Sequence, residues 1–172
     1  DHLHLPHTLR ALAAGCHVVC EKPMAPTVRE CRKIVAAVKR HRRRFMVGQV
    51  CRFTPAFQLA KEILESGEIG ELAFIESEYY HDYTHVAGVG NWRKSARIRR
   101  EGFVGGGCHA LDLIRWLAGE PSEVCCYMNH KLLPDWPTND TGVAIFRLPG
   151  GVIGKVFVSL GAKAGYSMRT VL

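Results

Sequence analysis

The chain has 172 residues, 47% of them hydrophobic and 23% charged, with a formal net charge of +7. This is a globular composition, with apolar material for one sizeable core or two small ones. No apolar run approaches the ~20 residues that span a bilayer, so no membrane segment is expected.

Asp1-His2-Leu3-His4 has neither the basic nor the apolar region of a secretory leader. The chain opens without Met in the middle of a pattern, so something upstream is expected to be missing. Pro6 through Ala14 reads as a short helix, with Leu5, Leu9 and Leu12 on one face and Gly15 after it. A β-rich run follows, His17-Val18-Val19-Cys20, and then the turn Glu21-Lys22-Pro23. Thr27 can cap a second helix, with Glu30 at the capping-box position and Val28, Cys31, Ile34, Val35 and Val38 as its stripe, running to His41. Phe45-Met46-Val47-Gly48 is another short strand. This alternation predicts a parallel α/β sheet.

The pattern then changes. Thr54 or Pro55 opens a helix to Ser66, closed by Gly67, and Leu72 to Tyr80 is a long alternating strand. Residues 81–106 read as a polar, glycine-containing loop, long enough to point to function. A helix over Ala110 to Leu117 ends at Gly119, and Val124 to Asn129 is a strand. Thr141 to Leu148 and Val152 to Leu160 are strands joined at the hairpin signal Pro149-Gly150-Gly151, and Ser167 to Leu172 starts another. The expected fold is α/β plus α+β. Residues 1–48 would be the C-terminal part of a parallel, Rossmann-like sheet. Residues 49–172 would be a second domain with a largely antiparallel open sheet.

Seven cysteines at odd spacing are expected to be reduced thiols of a cytoplasmic protein. Cys16/Cys20 and His81/His85 have zinc-like spacing, but Cys16 and Cys20 flank a predicted strand and no paired C-x-x-C set exists, so no metal is expected. Two basic clusters carry much of the charge. Lys39-Arg40-His41-Arg42-Arg43-Arg44 reads as a solvated helix end. Arg93-Lys94 with Arg97, Arg99 and Arg100 could face an anionic substrate or a cofactor phosphate. Neither cluster is interleaved with aromatics apart from Trp92, so nucleic acid is not the expected partner.

Lys22 lies beyond the carboxyl end of a strand, where open α/β sheets place ligand contacts, and Pro23 restrains the backbone around it. Its ammonium could bond a substrate hydroxyl or an exposed surface could be its whole role. Gly105-Gly106-Gly107-Cys108-His109 leads into a helix with Asp112 on the same face as His109. His109 suits acid–base work near neutrality, or it pairs with Asp112 for stability.

Taken in order, these segments resemble the Gfo/Idh/MocA family: Asp1 to Gly15, His17 to Pro23, Arg52-Phe53-x-Pro55, Gly67-x-Ile69-Gly70, Trp92-Arg93 and His109-x-x-Asp112. The resemblance implies a Rossmann domain joined to an α/β domain whose open sheet mediates a homo-oligomer, a dimer or tetramer. It implies NAD or NADP, and hydride transfer at a carbinol carbon of a sugar, polyol or related compound. It makes Lys22 and His109 catalytic. It puts Asp1, His4, Glu21, Lys22, Pro23 and Arg52 near the cofactor, and Lys22, Trp92, Arg93, His109 and Asp112 near the substrate. His81, Tyr83 and His85 are further pocket candidates. Many members carry an aspartate four residues before the histidine, where this chain has Gly105. A non-catalytic sugar-binding or regulatory relative, or an NAD-dependent glycoside hydrolase, is the alternative. The G-x-G-x-x-G fingerprint is not in the sequence. The missing βα units would amount to on the order of 60 residues, at ~30 per unit. The chain is expected to be cut at both ends and, alone, to bind NAD poorly.

Overall fold

In the computed structural model, which describes residues 1–172, helix and strand alternate up to residue 49, after which helices are interspersed with the strands of a larger sheet. The chain divides there into two compact units, Asp1–Gln49 and Val50–Leu172.

The first unit runs α1 (His4–Ala13), β1 (Val18–Cys20), α2 (Val28–His41) and β2 (Phe45–Val47). Helix α1 begins two residues before Pro6, which therefore sits in the first turn, where its missing N–H costs no bond. The capping box at Thr27 is complete. The Glu30 N–H donates to Thr27 Oγ1 at 3.2 Å, and the Thr27 N–H donates to Glu30 Oε2 at 3.1 Å. Replacing Thr27 with Ala should lower stability by about 1 kcal/mol in a urea melt, the usual cost of losing such a cap. Lys39, Arg40 and His41 occupy the last turn of α2, where cations suit the helix dipole, and Arg42 closes it with φ 51°. Leu12 of α1 and Ile34 and Ala37 of α2 are buried where the two helices pack. Strands β1 and β2 pair in parallel, with Val18 opposite Phe45 and Cys20 opposite Val47.

The second unit begins with a 3-10 turn, Val50–Phe53, and α3 (Pro55–Ser66), which Gly67 ends at φ 74°. Strand β3 (Phe74–Tyr80) follows, then a short helix α4 (Gly102–Gly105), α5 (Cys108–Ala118), and β4 (Glu123–Asn129), β5 (Thr141–Arg147), β6 (Ile153–Ser159) and β7 (Ser167–Val171). The five strands form one sheet in the order β4-β5-β6-β3-β7. Three pairings are antiparallel and β3–β6 is parallel, so the largely antiparallel expectation holds with one parallel ladder inside it.

Period-two alternation sorts the strands. Ile75 and Tyr79 of β3, Ala144 and Phe146 of β5, and Val156 and Val158 of β6 point inward and share a core with Ala110 and Ile114 of α5. The opposite face keeps Phe74, Tyr127, Ile145 and Ile153 exposed. Residues 81–106 are not structureless: besides α4 they hold a 3-10 turn, Val89–Lys94. No helix is long and apolar enough to cross a membrane. No group of three His, Cys, Asp or Glu side chains could hold a metal ion, and all seven cysteines are free thiols.

Candidate active site

In the first unit, the Glu21-Lys22-Pro23 turn leaves the carboxyl end of β1, and the Lys22–Pro23 peptide is cis. His4, on α1, holds this turn: its Nδ1 lies 2.8 Å from the Pro23 carbonyl. A carbonyl can only accept, so His4 carries its proton on Nδ1. Burial lowers the pKa of His4, against the opposing pull of that bond. Glu21 is exposed, Lys22 half-buried and Pro23 buried, while Asp1 is half-buried at the head of α1. Beside the turn, the Gly48 N–H donates to the Cys20 carbonyl at 2.8 Å.

The second unit gathers its polar groups around Tyr79. The Tyr79 hydroxyl lies 3.0 Å from His81 Nε2 and 2.8 Å from the Tyr83 hydroxyl. Burial, then the neighbouring Tyr83, push the Tyr79 phenol far above its ordinary range, so it stays neutral. The Tyr166 ring stands edge-on to Tyr79 at 5.6 Å and the His109 ring lies 6.3 Å away. His109 is in the first turn of α5 and is 5% exposed. Trp92 carries the Arg93 guanidinium 4.7 Å from its ring and that of Arg100 at 5.8 Å. His85 is exposed.

The space beside each of the three glycines before His109 is filled by protein. A Cβ on Gly105 would overlap the Arg100 guanidinium, one on Gly106 the Tyr79 ring, and one on Gly107 would come 2.6 Å from Val158. Gly106→Ala should therefore displace a packed aromatic ring and cost about 2 kcal/mol of stability, as overpacking does. A thermal melt unchanged from wild type would contradict that packing.

Arg52 and Asp112, expected to meet cofactor and substrate respectively, are brought onto each other. Arg52 Nε and Nη2 donate to the two Asp112 oxygens, each at 2.7 Å. That fork raises the pKa of Arg52 and ties the Val50–Phe53 turn to α5. Tyr79 and Tyr166 were missed by sequence reasoning. The available signal for Tyr79 was its phase in β3, inward with Ile75.

Comparisons with known proteins agree with this division. Residues 57–172 match the GFO/IDH/MocA C-terminal domain, and residues 1–49 match the oxidoreductase family with an NAD-binding Rossmann fold. The chain therefore belongs to the Gfo/Idh/MocA oxidoreductase family. It is 33% identical over 154 residues to a levoglucosan dehydrogenase of Pseudarthrobacter phenanthrenivorans, covering 88% of this chain and 39% of that protein. It is 33% identical over 171 residues to an inositol 2-dehydrogenase of Acidothermus cellulolyticus, covering 96% and 47%. A solved levoglucosan dehydrogenase in complex with NADH superposes with a TM-score of 0.87 at 30% identity, covering 99% of this chain and 48% of that one. A myo-inositol 2-dehydrogenase of Lactobacillus plantarum gives 0.85 at 25%, covering 98% and 51%. The chain thus spans about half the length of the relatives it matches, or less.

Proposed function

We propose that the complete protein is a dehydrogenase that moves a hydride between NAD or NADP and a carbinol carbon of a sugar, polyol or related compound. The observation that carries this reading is the placement of Lys22. It follows the carboxyl end of a parallel strand, on a turn held by His4, in a chain of this family. Relatives named for levoglucosan and inositol support the substrate class.

The residues present fit one end of a dinucleotide site. The turn after β1 is pinned from α1 and joined to the end of β2 through the Gly48–Cys20 bond, and in this reading Asp1, His4, Glu21, Lys22 and Pro23 line the cofactor side of it. When bound, the nicotinamide supplies the hydride acceptor. As the carbinol C–H bond breaks, Lys22 Nζ takes the hydroxyl proton. His109, in the second unit, is the other acid–base residue of this reading and hydrogen-bonds a substrate hydroxyl. Arg52 and Asp112 act on this chemistry by holding α5 in place, and Trp92 and Arg93 contact the substrate.

In the same reading, residues 1–48 belong to the dinucleotide-binding domain. Val19 and Met46, 77% and 46% exposed on a type of sheet usually covered on both faces, support it. Residues 49–172 form the substrate and oligomerisation domain, and the exposed Phe74, Tyr127, Ile145 and Ile153 favour a homo-oligomer through that face. Seven free thiols favour the cytoplasm.

The test is a panel of sugars and polyols offered to the complete protein with NAD and with NADP, following reduced nicotinamide. Formation with at least one substrate is expected. Cofactor binding without turnover of any substrate would favour a non-catalytic relative, the reading that Gly105 in place of an acid keeps open.

A further inference from the structure

We propose that the second unit takes a substrate bearing a carboxylate, and that Arg93 binds that group. This deepens the dehydrogenase reading and rests on it.

The starting point is the second basic cluster, which the structure splits in two. Arg97 and Arg99 are exposed, as a solvated loop requires, but Arg100 is 5% exposed and Arg93 is half-buried. Both guanidiniums lie against Trp92, at 4.7 and 5.8 Å. Each cation loses hydration there, and each repels the other. Burial first, and Arg100 second, lower the pKa of Arg93. The Arg93 side chain is poorly compensated: Nη1 donates to the Val86 carbonyl at 3.2 Å, while Nε is buried with no hydrogen-bond partner. A half-buried guanidinium with an unpaired N–H costs free energy that an incoming anion would recover.

The place of this pair is as informative as its charge. The Arg100 guanidinium fills the space that a side chain at position 105 would take, four residues before His109. On the far side of the glycine run, Gly106 is covered by the Tyr79 ring, whose neighbour is His109. An acid at 105 would favour a neutral alcohol and oppose a carboxylate. A guanidinium in that space reverses the preference, and the planar fork of Arg93 matches two carboxylate oxygens. The same fork would also suit a cofactor phosphate. The place of Arg93 against Trp92, which it shares with the Arg100 guanidinium that fills the space at position 105, favours the substrate.

Calorimetry on the complete protein with NADH bound compares D-glucuronate with D-glucose, which differ by a carboxylate in place of a hydroxymethyl group. Glucuronate should bind at least about tenfold more tightly, the value of one charge-assisted bond. Arg93→Gln should cost glucuronate about tenfold more affinity than it costs glucose. Arg93→Lys, which keeps the charge and loses the fork, should fall between, and it serves if the glutamine variant does not fold. Equal affinity for the two sugars in the wild type would overturn the proposal. So would a preference that survives both substitutions, or a loss confined to NADPH binding. Tight glucuronate binding with no hydride transfer to or from any sugar would support the anion site and overturn the dehydrogenase reading instead.

Discussion

Lys22→Ala in the complete protein is expected to lower kcat by about 10²- to 10⁴-fold, the range that a positioned acid–base group contributes. The substitution takes away the group that receives the carbinol proton. Lys22 is half-buried on a turn whose backbone is held by His4 and by the buried Pro23. Stability should therefore shift by no more than about 0.5 kcal/mol. Single-turnover reduction of NAD measures the first quantity and a thermal melt the second. A variant that retains wild-type turnover would remove Lys22 from the reaction.

Asp112→Ala should have its main effect on stability. Both oxygens of the carboxylate are committed to Arg52, and the Asp112 side chain is only 10% exposed. Removing it leaves a guanidinium facing a dry helix. Breaking a fully buried pair costs about 3–5 kcal/mol. The Arg52 side chain is 38% exposed and so is partly rescued by water, which reduces the expected loss to about 2–3 kcal/mol. Asp112→Asn should lose nearly as much, because one amide donor would then face the guanidinium. A double-mutant cycle with Arg52→Ala should show coupling above about 1 kcal/mol. Chemical unfolding measures all of these. A variant at Asp112 that keeps wild-type stability and loses substrate affinity would return Asp112 to the substrate.

Local chemistry was legible in the sequence wherever neighbours decide it. The Thr27–Glu30 box was readable because both partners lie within one turn. The β5–β6 hairpin was readable because Gly150 and Gly151 supply φ of 67° and 83°. The parallel pairing of β3 with β6 was not, since it joins residue 74 to residue 153 and alternation alone names no partner. The same limit applies to side chains. Arg52 and Asp112 are 60 residues apart, and each reads as a ligand contact until the fold joins them. Gly105 reads as a lost acid, because nothing in the sequence says that the Arg100 guanidinium fills its space.

The central claim is that hydride leaves a carbinol carbon. The direct measurement uses a sugar or polyol turned over by the complete protein, deuterated at the carbon that is oxidised, with the reduced nicotinamide analysed by mass spectrometry. One deuterium per turnover is expected in the nicotinamide, with a slowed single-turnover rate. Deuterium found only in solvent, or retained in the carbohydrate product, would contradict it.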